Sequence, residues 1–194
     1  MEWTPATVRA LRARAASRAL VPALTIHVAT GVGRGPTKLA AFDSALRAAG
    51  VHNFNLLCLS SVVPAGSKVH VLEGPVSPVG DWGDRLYVVM AHERVVGPGA
   101  QAWAGIGWVQ DADTGRGLFV EHEGTGEAEV NADIDASLGA LCAGRPQERF
   151  GRVNKMVRGA VSEDGTPTCA LVVAVFKSEP WHSPIDLVES AQFS

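Results

Sequence analysis

Apolar and polar side chains alternate through Leu24–Ala29, LTIHVA, the period-two pattern of a half-buried strand. After a glycine-rich stretch, KLAAFDSALRAAG puts Leu39, Phe42 and Leu46 on one face at helical spacing and stops at Gly50. An apolar strand then runs from Asn53 into two serines, Ser60 and Ser61, and a turn follows around Pro64–Ser67. KVHVLEG, RLYVVMAHE, AQAWAGIGWVQD and GLFVEHEG read as further strands, with PVSPVGDWGD as a loop. From Glu127 to Ala143, Val130, Ile134, Leu138 and Leu141 recur at helical spacing. KMVRGAVSE and TCALVVAVFK are expected to close the chain as an antiparallel pair joined at DGTP. At the N-terminus, Thr4 suits a helix cap and Pro5 a first helical position, so residues 5–20 predict a capped surface helix. That segment is arginine-rich and acid-free, which superficially matches a transit peptide, but the capping pattern favours the helix.

The order is strand, helix, several strands, helix, two strands. This predicts an α+β architecture and not the strict alternation of a doubly wound sheet. The length suits one domain, residues 25–177, with an N-terminal helical extension over 1–24 and a tail over 178–194. There is no internal repeat and no linker long enough to divide the chain.

Composition narrows the function classes. A net charge of −3 and a pI near 6.1 supply no electrostatic footprint for nucleic acid. No apolar run is long enough to span a bilayer, so no membrane role is expected. Cys58, Cys142 and Cys169 are far apart. Cys58 and Cys169 sit in apolar runs and read as small buried hydrophobes in a reducing compartment, the cytoplasm. The six histidines form no HxxxH or HExxH pair, so no metal is expected.

TGVGRGPTK invites a nucleotide-binding reading and fails it. A GxGxxG fingerprint begun at Gly31 needs glycine where Pro36 stands, and the P-loop pattern fails because no glycine precedes Lys38. Proline also lacks the N–H that an anion cradle uses. The glycines more simply allow close backbone approach or positive φ.

Two serines at a strand end ordinarily begin a turn. They also admit a different chemistry. Held under strain, the Ser61 hydroxyl can attack the carbonyl of Ser60 and convert the amide to an ester. β-Elimination then leaves dehydroalanine at position 61, and hydrolysis gives a pyruvoyl group and ammonia. The resulting α-keto amide is a carbonyl electrophile that takes an amine as a Schiff base and serves as an electron sink.

Context favours the second possibility. From Thr30 to Pro64, TGVGRGPTKLAAFDSALRAAGVHNFNLLCLSSVVP resembles the pyruvoyl-dependent arginine decarboxylase family through the glycine-rich turn, Thr37, Leu39, AFD, the NxNL asparagines and SSxxP. A weaker similarity continues through GLFVEHEG and returns at the last apolar strand, covering roughly residues 25–177. The resemblance implies a four-layer αββα sandwich assembled as a homotrimer of αβ protomers, with sites between subunits and no metal or pyridoxal phosphate. It implies cleavage between Ser60 and Ser61 into a β chain, 1–60, and an α chain, 61–194 that begins with a pyruvoyl group made from Ser61. The implied activity is conversion of arginine to agmatine and CO₂.

Residue by residue, the resemblance makes Glu121 the proton donor to the substrate carbon. Glu121 and Glu123 share a strand face, and both could instead be solvated carboxylates. Asn55 matches an asparagine that assists processing and holds the cofactor. An amide donor to a developing oxyanion would do this, and a strand asparagine capping a backbone group is the alternative. Asp43 matches an aspartate facing the substrate guanidinium, a pairing two parallel hydrogen bonds would serve; otherwise it is an exposed helix residue. Leu39, one turn earlier, would pack on the substrate's methylenes, and Val62 matches the apolar residue after the pyruvoyl position. Arg34 departs from the family pattern and would oppose a guanidinium if it reached the pocket. Trp103 and Trp108 would either reshape that pocket or pack the core.

Overall fold

A computed structural model describes residues 24–181. The helix expected over residues 5–20 and nearly all of the expected tail lie outside them. The chain runs β1 (Thr25–Arg34), α1 (Lys38–Ala49), β2 (Asn55–Cys58), β3 (Val62–Val63), β4 (Lys68–Val71), β5 (Arg85–Val95), β6 (Ala100–Gln110), β7 (Gly117–Gly124), α2 (Glu127–Ala143), β8 (Asn154–Ser162) and β9 (Thr168–Glu179). The α+β expectation holds: one domain is built from a mixed five-stranded sheet, an antiparallel four-stranded sheet and two helices.

The first sheet has the order β2-β5-β9-β1-β4, with β1–β4 and β2–β5 parallel and the other pairs antiparallel. The second has the order β3-β7-β6-β8. Ile26, Val28, Val89 and Ala91 of the first sheet share one buried cluster with Ala104, Ile106, Trp108 and Phe119 of the second. The other face of the first sheet packs on Ala41, Ala45 and Ala49 of α1. The other face of the second packs on Val130, Ile134 and Leu138 of α2. β9 sits between β5 and β1 and is buried from Thr168 to Phe176, so its side chains serve the clusters on both faces.

Three expectations about the elements and their packing need correction, and a fourth concerns Cys58. β8 and β9 follow one another but do not pair: β8 lies against β6 and β9 against β5 and β1. A central strand buried on both faces needs a partner on each edge, and β5 and β1 fill both. The first half of the glycine-rich stretch is strand, because β1 continues to Arg34, and only Gly35–Thr37 make the bend into α1. The buried face of α1 is its alanine stripe, while Leu39 is 70% exposed. Gly31 and Gly33 give the reason. A Cβ at Gly31 would lie 2.1 Å from the Ala45 carbonyl oxygen, and one at Gly33 would lie 2.2 Å from that of Ala41. Helix and strand backbones touch here, and only the smallest side chains fit between them. Thr37 caps this helix by accepting from the Ala40 N–H at 3.1 Å, and Gly50 ends it with φ 84°.

Trp108 packs in the inter-sheet core and Trp103 against the α2 cluster. Cys169 is buried as expected, and burial pushes its thiol up to about 11. Cys58 is exposed, contrary to expectation, because β2 is an edge strand with little packed on it. Among the described residues, no helix is long and apolar enough to cross a membrane.

Candidate active site

The two serines stand where the chain passes from one sheet to the other. Leu59 N–H still donates to the Val88 carbonyl of the first sheet at 2.9 Å. Two residues later the Ser61 carbonyl accepts from Phe119 N–H of the second sheet at 2.8 Å. Val62 and Val63 then pair with Leu118 and Gly117 as β3. The Ser60–Ser61 peptide therefore bridges the two sheets and is tied on both sides.

That anchoring forces an unusual backbone. Ser61 has φ 66°, the only positive φ at a non-glycine among the described residues. A left-handed serine costs about 1–3 kcal/mol and persists only where its surroundings impose it. The turn directs the hydroxyl toward β7, where Ser61 Oγ donates to Glu121 Oε1 at 2.5 Å. β3 ends too soon to cover β7 beyond Phe119, so Glu121 stands on an open strand edge facing the serine. The glutamate is half-buried.

A cavity of about 480 Å³ opens over this pair, lined on one side by Ser60, Ser61 and Glu121 and on the other by Leu141 and Arg145 at the end of α2. Val62 also reaches it. His122, the next residue of β7, points to α2 and shares a 2.8 Å hydrogen bond with Ser137. Val120 and Leu118 give the cavity an apolar floor. The arrangement can move a proton from a serine hydroxyl to a carboxylate beside a strained peptide. Among the described residues no cluster of three potential metal ligands occurs.

Of the residues singled out from sequence, Ser60, Ser61, Val62 and Glu121 come together here. Asn55, Asp43 and Leu39 do not line this cavity. Asn55 lies at the far end of β2, up to roughly 20 Å of extended chain from Ser61. Its amide donates to the Gly83 carbonyl at 2.5 Å, a carbonyl that also accepts from the Trp181 indole at 2.7 Å. Within its own chain, Asn55 thus holds a backbone carbonyl of the loop before β5. Asp43 and Leu39 sit on the exposed side of α1, and Asp43 pairs with Arg47 at 3.0 Å. Arg34 does not line this cavity and instead donates to the Val161 carbonyl at 3.3 Å, with Asp164 3.8 Å away. The cation that lines the cavity is Arg145, which no spacing or motif in the sequence marked. His122 was visible only as Glu121's neighbour in VEHEG.

Comparison with known proteins identifies the family. The model of the pyruvoyl-dependent arginine decarboxylase family matches residues 25–180. The pyruvoyl-dependent arginine decarboxylase of Halobacterium salinarum is 35% identical over 153 residues, 78% of this chain and 92% of the relative. That of Thermoplasma volcanium is 31% identical over 140 residues, 72% of this chain and 75% of the relative. That of Methanocella arvoryzae is 29% identical over 156 residues, 78% and 93% of the two chains.

Proposed function

The chain belongs to the pyruvoyl-dependent arginine decarboxylase family, and from that premise we propose that it cuts itself between Ser60 and Ser61 and decarboxylates arginine to agmatine and CO₂. The observation that carries the self-cleavage is the 2.5 Å hydrogen bond from Ser61 Oγ to Glu121 at a serine held at φ 66°. Glu121 accepts the hydroxyl proton while the oxygen attacks the Ser60 carbonyl carbon. The N–C bond of the peptide breaks, and an ester joins Ser60 to the Ser61 side chain. Loss of the Ser61 Cα proton expels the Ser60 carboxylate, and hydrolysis of the dehydroalanine releases ammonia.

The pyruvoyl group formed from Ser61 supplies a carbonyl for the substrate amine and a sink for the electrons left by CO₂. The surrounding residues fit it. Val62, Leu118 and Val120 make an apolar wall, and Glu121 stands within hydrogen-bond reach of position 61. Glu121 then serves the second reaction as the proton donor to the substrate carbon.

Asp43 and Leu39 are the residues for the guanidinium and the methylenes, and they reach the site from a second copy in a trimer of αβ protomers. What supports this reading is that both are exposed on α1, outside the cavity of their own chain. The layers stack as αββα, supported by one core cluster between the sheets and one beneath each helix. A cytoplasmic setting is in keeping with three free cysteines.

Intact-mass measurement tests the processing. The expected products are 1–60 and 61–194, the second closed to Edman chemistry, and an uncut chain after long incubation overturns the proposal. Glu121→Gln slows cleavage by about 10²–10⁴-fold, the span of a positioned general base. A substrate panel tests the specificity: turnover of another amino acid with none of arginine refutes the arginine assignment.

A further inference from the structure

Cleavage changes the charge in the Ser61 cavity. Before it, Glu121 is the only carboxyl group lining the cavity among the described residues. After it, the Ser60 carbonyl has become a chain-terminal carboxylate in the same space of about 480 Å³. Two like charges there oppose each other and oppose the step that forms the second.

We infer that Arg145 receives this new carboxylate and acts on the elimination step as the cation for its leaving group, an inference that rests on the self-cleavage reading above. Among the described residues, Arg145 is the only lysine or arginine lining the cavity. It follows Gly144 at the end of α2, where its backbone N–H donates to the Cys142 carbonyl and Nη1 to the Leu141 carbonyl, each at 2.9 Å. These bonds hold the side chain at the cavity wall. A guanidinium carries five N–H donors, and the Leu141 carbonyl occupies one. Arg145 makes no salt bridge among the described residues. The acids of the neighbouring cavity that it also borders are already matched, Glu148 by Arg116 at 3.3 Å and Asp135 by Lys155 at 2.6 Å. Its free fork is shaped for a carboxylate.

The step balances with groups on the chain. In the ester, the Ser61 Cβ–Oγ bond breaks as a base removes the Cα proton. The Cα–Cβ double bond forms, and the Cβ–Oγ electron pair leaves with the oxygen as part of the Ser60 carboxylate. Negative charge develops on that group, and a cation beside it lowers the barrier. The ester has a competing fate. Water can hydrolyse it to the same two fragments with an ordinary serine at position 61, which has no electrophile.

Arg145→Ala, Arg145→Gln and Arg145→Lys in the full chain test this. Gln keeps an amide donor for the Leu141 carbonyl without the charge, so it carries the test if loss of the helix-end bond unfolds the alanine variant. The readouts are an intact-mass time course, hydroxylamine trapping of the ester, and the proportion of α chains starting with serine, each heavier than the pyruvoyl form by one ammonia. Removing the charge is expected to slow decay of the ester roughly tenfold, the worth of one charge-assisted hydrogen bond. Trappable ester and serine-started chains rise, Arg145→Lys lies between, and added guanidinium ion restores the alanine variant. Cleavage at the wild-type rate with no trapped ester overturns the inference. So does slow cleavage without ester, which places Arg145 on the first attack instead. A wild-type chain that never cuts refutes the self-cleavage reading itself, a result distinct from both.

Discussion

Along β1 and α1, the chain is held by contact. The alanine stripe of the helix lies directly on Gly31 and Gly33, and Ala41, Ala45 and Ala49 are fully buried. At Ser60–Ser61, it is held by tethers, one hydrogen bond to each sheet and an unfavourable φ between them. The first region has its backbone at rest and no room for an atom. The second has an open cavity beside a strained peptide. Substitutions should accordingly separate folding from chemistry, since each region supplies what the other lacks.

The largest expected effect falls on chemistry alone. Ser61→Ala abolishes cleavage because no nucleophile remains, while thermal unfolding stays close to that of the uncut parent. Ser61→Gly also abolishes cleavage, but it relieves the left-handed backbone and stabilises the uncut chain by about 1 kcal/mol. Calorimetry of the two variants checks this, and equal midpoints would show that Ser61 is not strained. The converse holds at Gly33. Gly33→Ala forces a methyl group to within 2.2 Å of the Ala41 carbonyl oxygen and the Ala45 nitrogen. The helix has to lift, at a cost of at least about 3 kcal/mol in chemical denaturation. Where that variant still folds, its serines cut at the usual rate.

Asp43→Asn sharpens the contrast, because Asp43 belongs to the contact region by position and to the substrate by proposed role. It is exposed and outside the serine cavity, so cleavage proceeds normally. Loss of a charge-assisted guanidinium contact, about 1.5–3 kcal/mol, raises KM for arginine roughly ten- to a hundredfold. Unchanged KM in the fully processed enzyme would remove Asp43 from the site.

The same contrast governs what could be read in advance. Strand and helix positions follow from periodicity, and of the four residues spaced along α2, Val130, Ile134 and Leu138 are buried while Leu141 is exposed at the cavity. On α1 the spacing holds for Phe42 and Leu46, which pack against the core, but it also points to exposed Leu39 and passes over alanines whose burial depends on glycines in another element. β8 and β9 read as a hairpin because a short turn joins them, and pairing choice across two sheets leaves no local mark. The serine pair was legible as a cleavage site only through the family match, for its strain arises from tethers to two different sheets. Arg145 carried no signal at all, because its place in the cavity depends on where α2 ends against β7.

The smallest expected effect is a pH dependence confined to the contact region. His92 on β5 lies under α1, its ring 4.6 Å from that of Phe42, and its Nδ1 is buried with no hydrogen-bond partner among the described residues. Burial first, and then the charge of Arg94, hold its pKa below the usual 6.5, while Glu93 acts weakly in the other direction. As pH falls below about 6.5, the unfolded chain takes up this proton before the folded one does. Stability therefore declines with acid from that point until the folded imidazole also protonates, and the contribution disappears above neutrality. His92→Phe fills the space without a titrating group and should flatten this part of the profile. Measured in a Ser61→Ala background, the profile is free of any change from cleavage. An acid-side slope that survives His92→Phe would assign it to other groups, and a cleavage rate that followed the same slope would mean that the two regions are energetically one.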